Sequence, residues 1–183
     1  MLVTKTSPVG IDYSLQLLQT ELHDRLLTTW GIDTSTYKAY GRCYRKPADA
    51  GYIVANYDSG TEYTSLFDDT LKAMSFFGQS PATRLDQKES TEVHLVFFVN
   101  LALLKPSIAH RADEEVRKDV ISIFAPALYG FAYQGFDITI ESALREYRGN
   151  WKKTLDMHPF HCFRINLKVL YDINSNNCTP FKN

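Results

Sequence analysis

The residues best suited to chemistry in this chain are its histidines and carboxylates. The densest group is Asp156-Met157-His158-Pro159-Phe160-His161. Imidazole and carboxylate are good ligands for a divalent ion such as zinc. A ligand set must converge on one point, and Pro159 stiffens this loop. No HExxH or HxH motif accompanies it, and His94 and His110 are distant in sequence. The preferred reading is a pre-strand loop whose imidazoles cap backbone groups. A metal-dependent enzyme built on Asp156, His158 and His161 is the alternative.

A second group is His110-Arg111-Ala112-Asp113-Glu114-Glu115. Paired acids hold divalent ions in many nucleases. Here they fall in the first turn of an expected helix, where the macrodipole favours negative charge. They are read as a solvated first turn, with Arg111 in a salt bridge. No GxSxG, no glycine-rich phosphate loop and no Cys–His pair at a family spacing occurs. No catalytic, cofactor-binding or metal-binding residue is therefore assigned, and the chain is expected not to be an enzyme.

Two surface features remain. Arg42, Arg45 and Lys46, with Arg148, Lys152 and Lys153, are locally basic. Such a patch suits DNA phosphates or an acidic partner, and equally a plain solvated surface. Tyrosines crowd the first expected strands, from Tyr37 to Tyr63. Tyrosine suits sites with one apolar and one wet side, such as interfaces. Tyr40, Tyr44, Tyr52 and Tyr57 are the candidate oligomer-interface residues. Half-buried positions in a sheet would explain them as well.

The elements that must position these residues follow from periodicity. Leu15, Leu18, Leu22 and Leu26 recur at helical spacing, so a helix is expected from Tyr13 to Thr29, capped by Asp12 and ended by Gly31. Strands are expected over Tyr37–Arg45, Tyr52–Tyr57 and Ala73–Phe77, with loops over Glu62–Leu71 and Gln79–Lys88. Thr91 to Leu104 is apolar on both faces and reads as a central strand. Val116, Val120, Ile123 and Phe124 form the stripe of a second helix, ended by Pro126. Strands over Phe136–Ile140 and Cys162–Asp172 follow. In the last, Arg164, Asn166 and Lys168 are expected to point to solvent. Grouped strands with two helices predict an α+β fold, a mostly antiparallel sheet with two main helices packed on one face.

Composition sets the outer limits. The chain has 183 residues, which suggests one domain, with residues 1–11 and 174–183 expected to be loose. Hydrophobic residues make up 44% and charged residues 22%, so disordered and fibrous classes are excluded. With 20 basic and 21 acidic residues the net charge is −1, without the basic excess of most nucleic-acid binders. Cys43, Cys162 and Cys178 form no CxxC, which argues against a disulfide framework and for a reducing compartment. The first 30 residues lack a charged and then apolar region, so no secretory signal is expected. The longest apolar stretch, Leu95–Leu104, is far short of the ~20 residues of a membrane helix.

Three segments carry a resemblance. They are Leu95-Val96-Phe97-Phe98-Val99-Asn100-Leu101, His110-Arg111-Ala112-Asp113-Glu114-Glu115 and Asp156-Met157-His158-Pro159-Phe160-His161-Cys162-Phe163-Arg164. They resemble small proteins of phages and prophages of Bacteroidetes-type bacteria. The element order, over Tyr13 to Tyr171, resembles tail-terminator and tail-completion proteins of long-tailed bacteriophages. The resemblance implies a structural virion protein, without cofactor, at the head–tail junction. It would be made in the host bacterial cytoplasm. Such proteins form a homo-oligomeric ring, commonly a hexamer, that ends tail-tube growth and joins the tail to the head connector. The implied partners are further copies of the chain, the tail tube protein and the head connector protein, with DNA passing through the lumen without sequence-specific binding and no membrane. Another head–tail connector, or neck, ring is the nearest alternative. A nucleic-acid-binding accessory protein using the basic patch is a further one.

Overall fold

The computed structural model describes residues 1–48, 51–58, 61–63, 67–81, 83–85, 88–124, 128–147 and 157–172. Among these, the chain is a mixed α/β structure with a mostly antiparallel sheet and two helices of seven or more residues. The central strand is β8 (Lys88–Asn100). It pairs antiparallel with β6 (Ala73–Gln79) on one side and β10 (Phe160–Asp172) on the other. Beyond β6 lie β2 (Tyr37–Arg42) and the two-residue β1 (Leu2–Val3), both joined in parallel. Beyond β10 lies β9 (Phe131–Asp137), the last strand of the sheet on that side among the described residues. The short β7 (Thr83–Leu85) adds to β8 off this path. A separate ribbon of β3 (Tyr44–Ala48), β4 (Gly51–Asp58) and β5 (Thr61–Tyr63) continues directly from β2.

Both faces of β8 are apolar because both are covered. Val93, Leu95, Phe97 and Val99 join one core with Phe163, Ile165 and Leu167 of β10. The same core takes Leu15, Leu18, Leu22 and Leu26 of α1 (Ile11–Trp30) and Val116 and Val120 of α3 (Asp113–Ile123). Trp30 Nε1 donates to Asp119 at 3.1 Å and ties the two helices together. Val96 and Phe98 point the other way into a second core with Phe76, Cys162 and α4 (Ile140–Ala143).

Several expectations change. The long apolar run is a strand only to Asn100, and Leu101–Leu104 is a short helix, α2. Asn100 accepts from Leu103 N at 3.2 Å, so its side chain caps the new helix. The first helix starts after Gly10, whose φ of 58° suits glycine. Asp12 is therefore no cap: it lies in the first turn, paired with Lys5 and Arg42. The first residues are held by β1 against β2 rather than loose. The expected loops contain β5 and β7. The strand near Phe136 runs from Phe131 to Asp137, and Ile140 begins α4 instead. Arg164, expected to be solvated, is 1% exposed, because α4 and the turn after it cover that face. Residues 174–183 lie outside the described residues.

Candidate functional site

A concavity lies between the ribbon, the ends of β2 and β6, and the turn after α4. It encloses about 690 Å³ and its lining includes Lys5, Arg42, Arg45, His94, Glu146 and Tyr147, with Tyr44 and Tyr57 of the ribbon. That volume lies within the usual range for small-molecule sites.

Each lining residue has a local cause. β8 alternates, so His94 shares the face of Val96 and Phe98. The opposite residue across the ladder is Gly78 of β6, which leaves the imidazole its space. A Cβ built at Gly78 would overlap the His94 ring and sit 2.7 Å from Tyr147 Oη. Thr139 caps α4 by accepting from Ser142 N at 3.3 Å, and the turn that follows brings Glu146 and Tyr147 back over β8. Gly78→Ala is expected to cost about 1–3 kcal/mol through overpacking. Thermal unfolding checks the cost, and an unchanged His94 imidazole resonance would show that the ring has room to spare.

His94 is 2% exposed and lies 3.5 Å from Tyr147 Oη through Nε2. Its Nδ1 has no hydrogen-bond partner among the described residues. Burial first, then the nearby Arg164 guanidinium, push its pKa down to about 4, so the ring is neutral at pH 7. Tyr147 is pushed up by burial and stays protonated. Beside them Arg164 donates to Glu146 at 2.6 Å and to Asn166 at 2.6 Å. Asn166 in turn donates to Asp137 at 2.9 Å. This network balances the buried guanidinium.

The opposite wall is cationic. Arg42 grips Asp12 with two nitrogens, at 2.7 and 3.0 Å, and donates to Gln79 at 2.7 Å. Lys5 Nζ donates to Asp12 at 2.5 Å. Burial raises the Asp12 pKa, but the bonds from Arg42 and Lys5 outweigh it and hold the carboxyl below its ordinary value. Arg45 lies over the Tyr52 ring at 5.5 Å. A narrow adjoining cleft of about 10 Å³ shares Lys5, Arg42 and Tyr57 and reaches Asn56. That is room for about one water molecule. Asn56 Nδ2 is buried there with no partner among the described residues.

The residues singled out from sequence scatter across the molecule. Of the basic group, Arg42 and Arg45 line the concavity, Lys46 pairs with Glu62 on the ribbon, and Arg148, Lys152 and Lys153 lie outside the described residues. Tyr40 is 2% exposed and sits in the second core, so it is removed from the candidate interface. Tyr44 and Tyr57 share one face of the ribbon, and Tyr52 lies on the other with Arg45, by the ladder register. The four tyrosines therefore form no single patch.

Asp156 lies outside the described residues, His158 is exposed, and His161 is buried on β10. Arg111 Nη2 lies 3.3 Å from His161 Nδ1, and a guanidinium is no neighbour for a bound cation. Among the described residues no three His, Cys, Asp or Glu side chains are placed to hold a metal ion. Arg111 pairs with Asp113, Arg117 with Glu114 and His110 with Glu115, which fits the structural reading of that turn. Among the described residues no helix is long and apolar enough to cross a membrane. His94, Gly78 and Tyr147 carry no motif. The one available signal was a histidine amid the apolar residues of a strand covered on both faces. No protein-family model matches the chain, and no curated protein matches it.

Proposed function

We propose that this protein is a structural, non-enzymatic subunit of a long-tailed bacteriophage virion. It forms a homo-oligomeric ring at the head-proximal end of the tail, ends tube growth and joins the tail to the head connector. The resemblance of its three segments and of its element order supports the reading. An α+β fold, with both long helices on one face of the sheet, agrees with it.

The observation that carries the self-assembling part is a pair of unlike exposed apolar patches. One is the terminal strand β9, where Tyr133 and Phe136 are exposed, with Ile138 just beyond it. A groove of about 550 Å³ runs between β9 and α3, floored by Ile121 and Phe136. The other is the face of the ribbon that carries Tyr44 and Tyr57. The ribbon leaves the sheet from β2, at the end of the strand order away from β9. Two different patches on one subunit suit a heterologous contact, which closes into a ring when the rotation allows. A terminal strand with apolar side chains is also a surface that soluble chains usually cover.

Phe136→Glu and Tyr57→Glu, made separately, are expected each to abolish ring formation. At such exposed positions monomer stability should stay within about 0.5 kcal/mol. Native mass spectrometry of the free protein and reconstruction of the intact particle check this. A single copy in the particle, or a position away from the head–tail junction, refutes the terminator reading. A ring that survives both variants refutes the assignment of these two patches.

A further inference from the structure

The groove between β9 and α3 has a possible occupant within the same chain, the segment that follows β10. We propose that in the free subunit this C-terminal segment runs back along β9 and seats Phe181 against Ile121 and Phe136. The docking itself stands on sequence and fold. Its role, keeping the groove covered until a neighbour displaces it, rests on the ring reading above.

The segment is long enough. The described chain stops at Asp172, the end of β10, and eleven residues follow, 173–183. β9 and β10 are antiparallel, and Phe136 stands opposite Ile165. Ile165 lies seven residues before Asp172, so the groove floor is about 24 Å from the point where the segment leaves the sheet. Phe181 lies nine residues after Asp172 and reaches up to about 30 Å in an extended chain. The span is covered with little slack.

The path and its end are apolar. Residues opposite each other across a ladder share a face. Tyr133 opposite Leu167 and Phe136 opposite Ile165 therefore lie on the face that α1 and α3 cover. They follow one another from the Asp172 end of the sheet toward the groove, and both are exposed. The Arg117 guanidinium lies over the Phe136 ring at 5.7 Å, yet 46% of Phe136 remains exposed. An exposed ring of this kind accepts a second aromatic, stacked or edge-on. Phe181 is the one aromatic residue in 173–183, and Pro180 before it favours extended backbone at Thr179.

Tethering favours this segment over a second copy in the free protein. A short tether holds its end near the site at an effective concentration of about a millimolar. A dilute second copy cannot match that. A neighbour prevails where subunits are already gathered side by side.

The test is a nitroxide label on Cys178 of the full chain, read by amide NMR under conditions where native mass spectrometry shows a monomer. Cys43 and Cys162 are buried, so the reagent is directed to Cys178. The amide signals of Ile121, Ser122 and Phe136 should lose most of their intensity until the nitroxide is reduced. Those of Tyr44 and Tyr52 on the ribbon should keep theirs. Phe181→Glu should restore the groove signals, and Phe181→Tyr should leave them broadened. Unlabelled Phe181→Glu should also shift the Ile121 and Phe136 amides, which checks for disturbance by the probe. Unchanged amide positions along β8 check the fold of each variant. Groove signals that stay sharp in the labelled chain overturn the proposal when Phe181→Glu also shifts nothing. Broadening that survives Phe181→Glu overturns it too. So does broadening of an unlabelled nitrogen-15 chain by a labelled nitrogen-14 chain, which would make the occupant a second copy. None of these readings needs a ring, so the docking and the ring assignment fail separately. Where the ring forms, Phe181→Glu should bring it on at a lower protein concentration, and an unchanged threshold overturns the covering role.

Discussion

Phe97→Ala is expected to remove about 3–5 kcal/mol of folding stability, the usual cost of deleting a buried aromatic ring. Phe97 is 0% exposed and lies in the second half of β8. Its ring stacks on Phe163 with centroids 5.0 Å apart and planes 10° from parallel. The register sets Phe97 between Ser75 of β6 and Phe163 of β10, so paired strands hold the backbone on both sides. Above it are the leucines of α1 and the valines of α3. The cavity can close only if a helix moves, and moving either helix strains the Trp30–Asp119 link. Both the transfer cost and the cavity cost should therefore appear. Urea unfolding should show a lower midpoint with an unchanged slope. Phe136→Ala, at a ring that is 46% exposed, is the control and should cost well under about 1 kcal/mol. A loss at Phe97 no larger than at Phe136 would show that the core repacks around the gap.

Elements whose pattern is local were legible in the sequence. The spacing of Leu15, Leu18, Leu22 and Leu26 carries α1, and its C-cap at Gly31 adopts φ 60°, as a glycine there permits. The two apolar faces of β8 fit the two cores that cover it. The errors come from partners that are distant in the chain. Asp12 looks like a cap from its neighbours, but Arg42 from β2 reaches it and makes it an ion-pair partner. Arg164 reads as a solvent-facing residue in an alternating strand. Glu146, 18 residues earlier, and the turn after α4 bury and neutralise it. Leu101–Leu104 continues the apolar run of β8, and apolarity alone cannot separate strand from buried helix. The three-residue strands β5 and β7 are too short for any period to show. The concavity was illegible for the same reason: His94, Gly78 and Tyr147 meet only through strand pairing and one tight turn.

Acid is expected to destabilise the fold well above the pH at which carboxylates titrate, because of His94. In the unfolded chain an imidazole titrates near 6.5, whereas in the fold His94 is pushed down to about 4. The folded pKa lies below the unfolded one. At pH 7 both states hold the ring neutral and its titration has no effect. As pH falls below about 6.5 the unfolded chain takes up a proton that the folded chain refuses, so stability drops until about pH 4. Each pKa unit is worth about 1.4 kcal/mol, so about 2 kcal/mol is lost between pH 6.5 and 5 and about 3 kcal/mol by pH 4. Arg164 and Arg145 oppose a positive ring, while Glu146 and Asp137 favour it, and burial dominates them all. His23 is also lowered, by burial and then by the chain's amino group, so it adds loss of the same sign. The carboxylates of Asp12 and Glu146 are held low in the fold. Their loss begins near their unfolded values of 3.8 and 4.5 and is kept out by working above pH 5. Urea unfolding from pH 7.5 to 5 should thus show a steady fall. His94→Gln, which cannot titrate, should flatten most of it, and His23→Gln should flatten less. An equally steep fall in His94→Gln would place the proton uptake elsewhere and show that the buried ring is already charged in the fold.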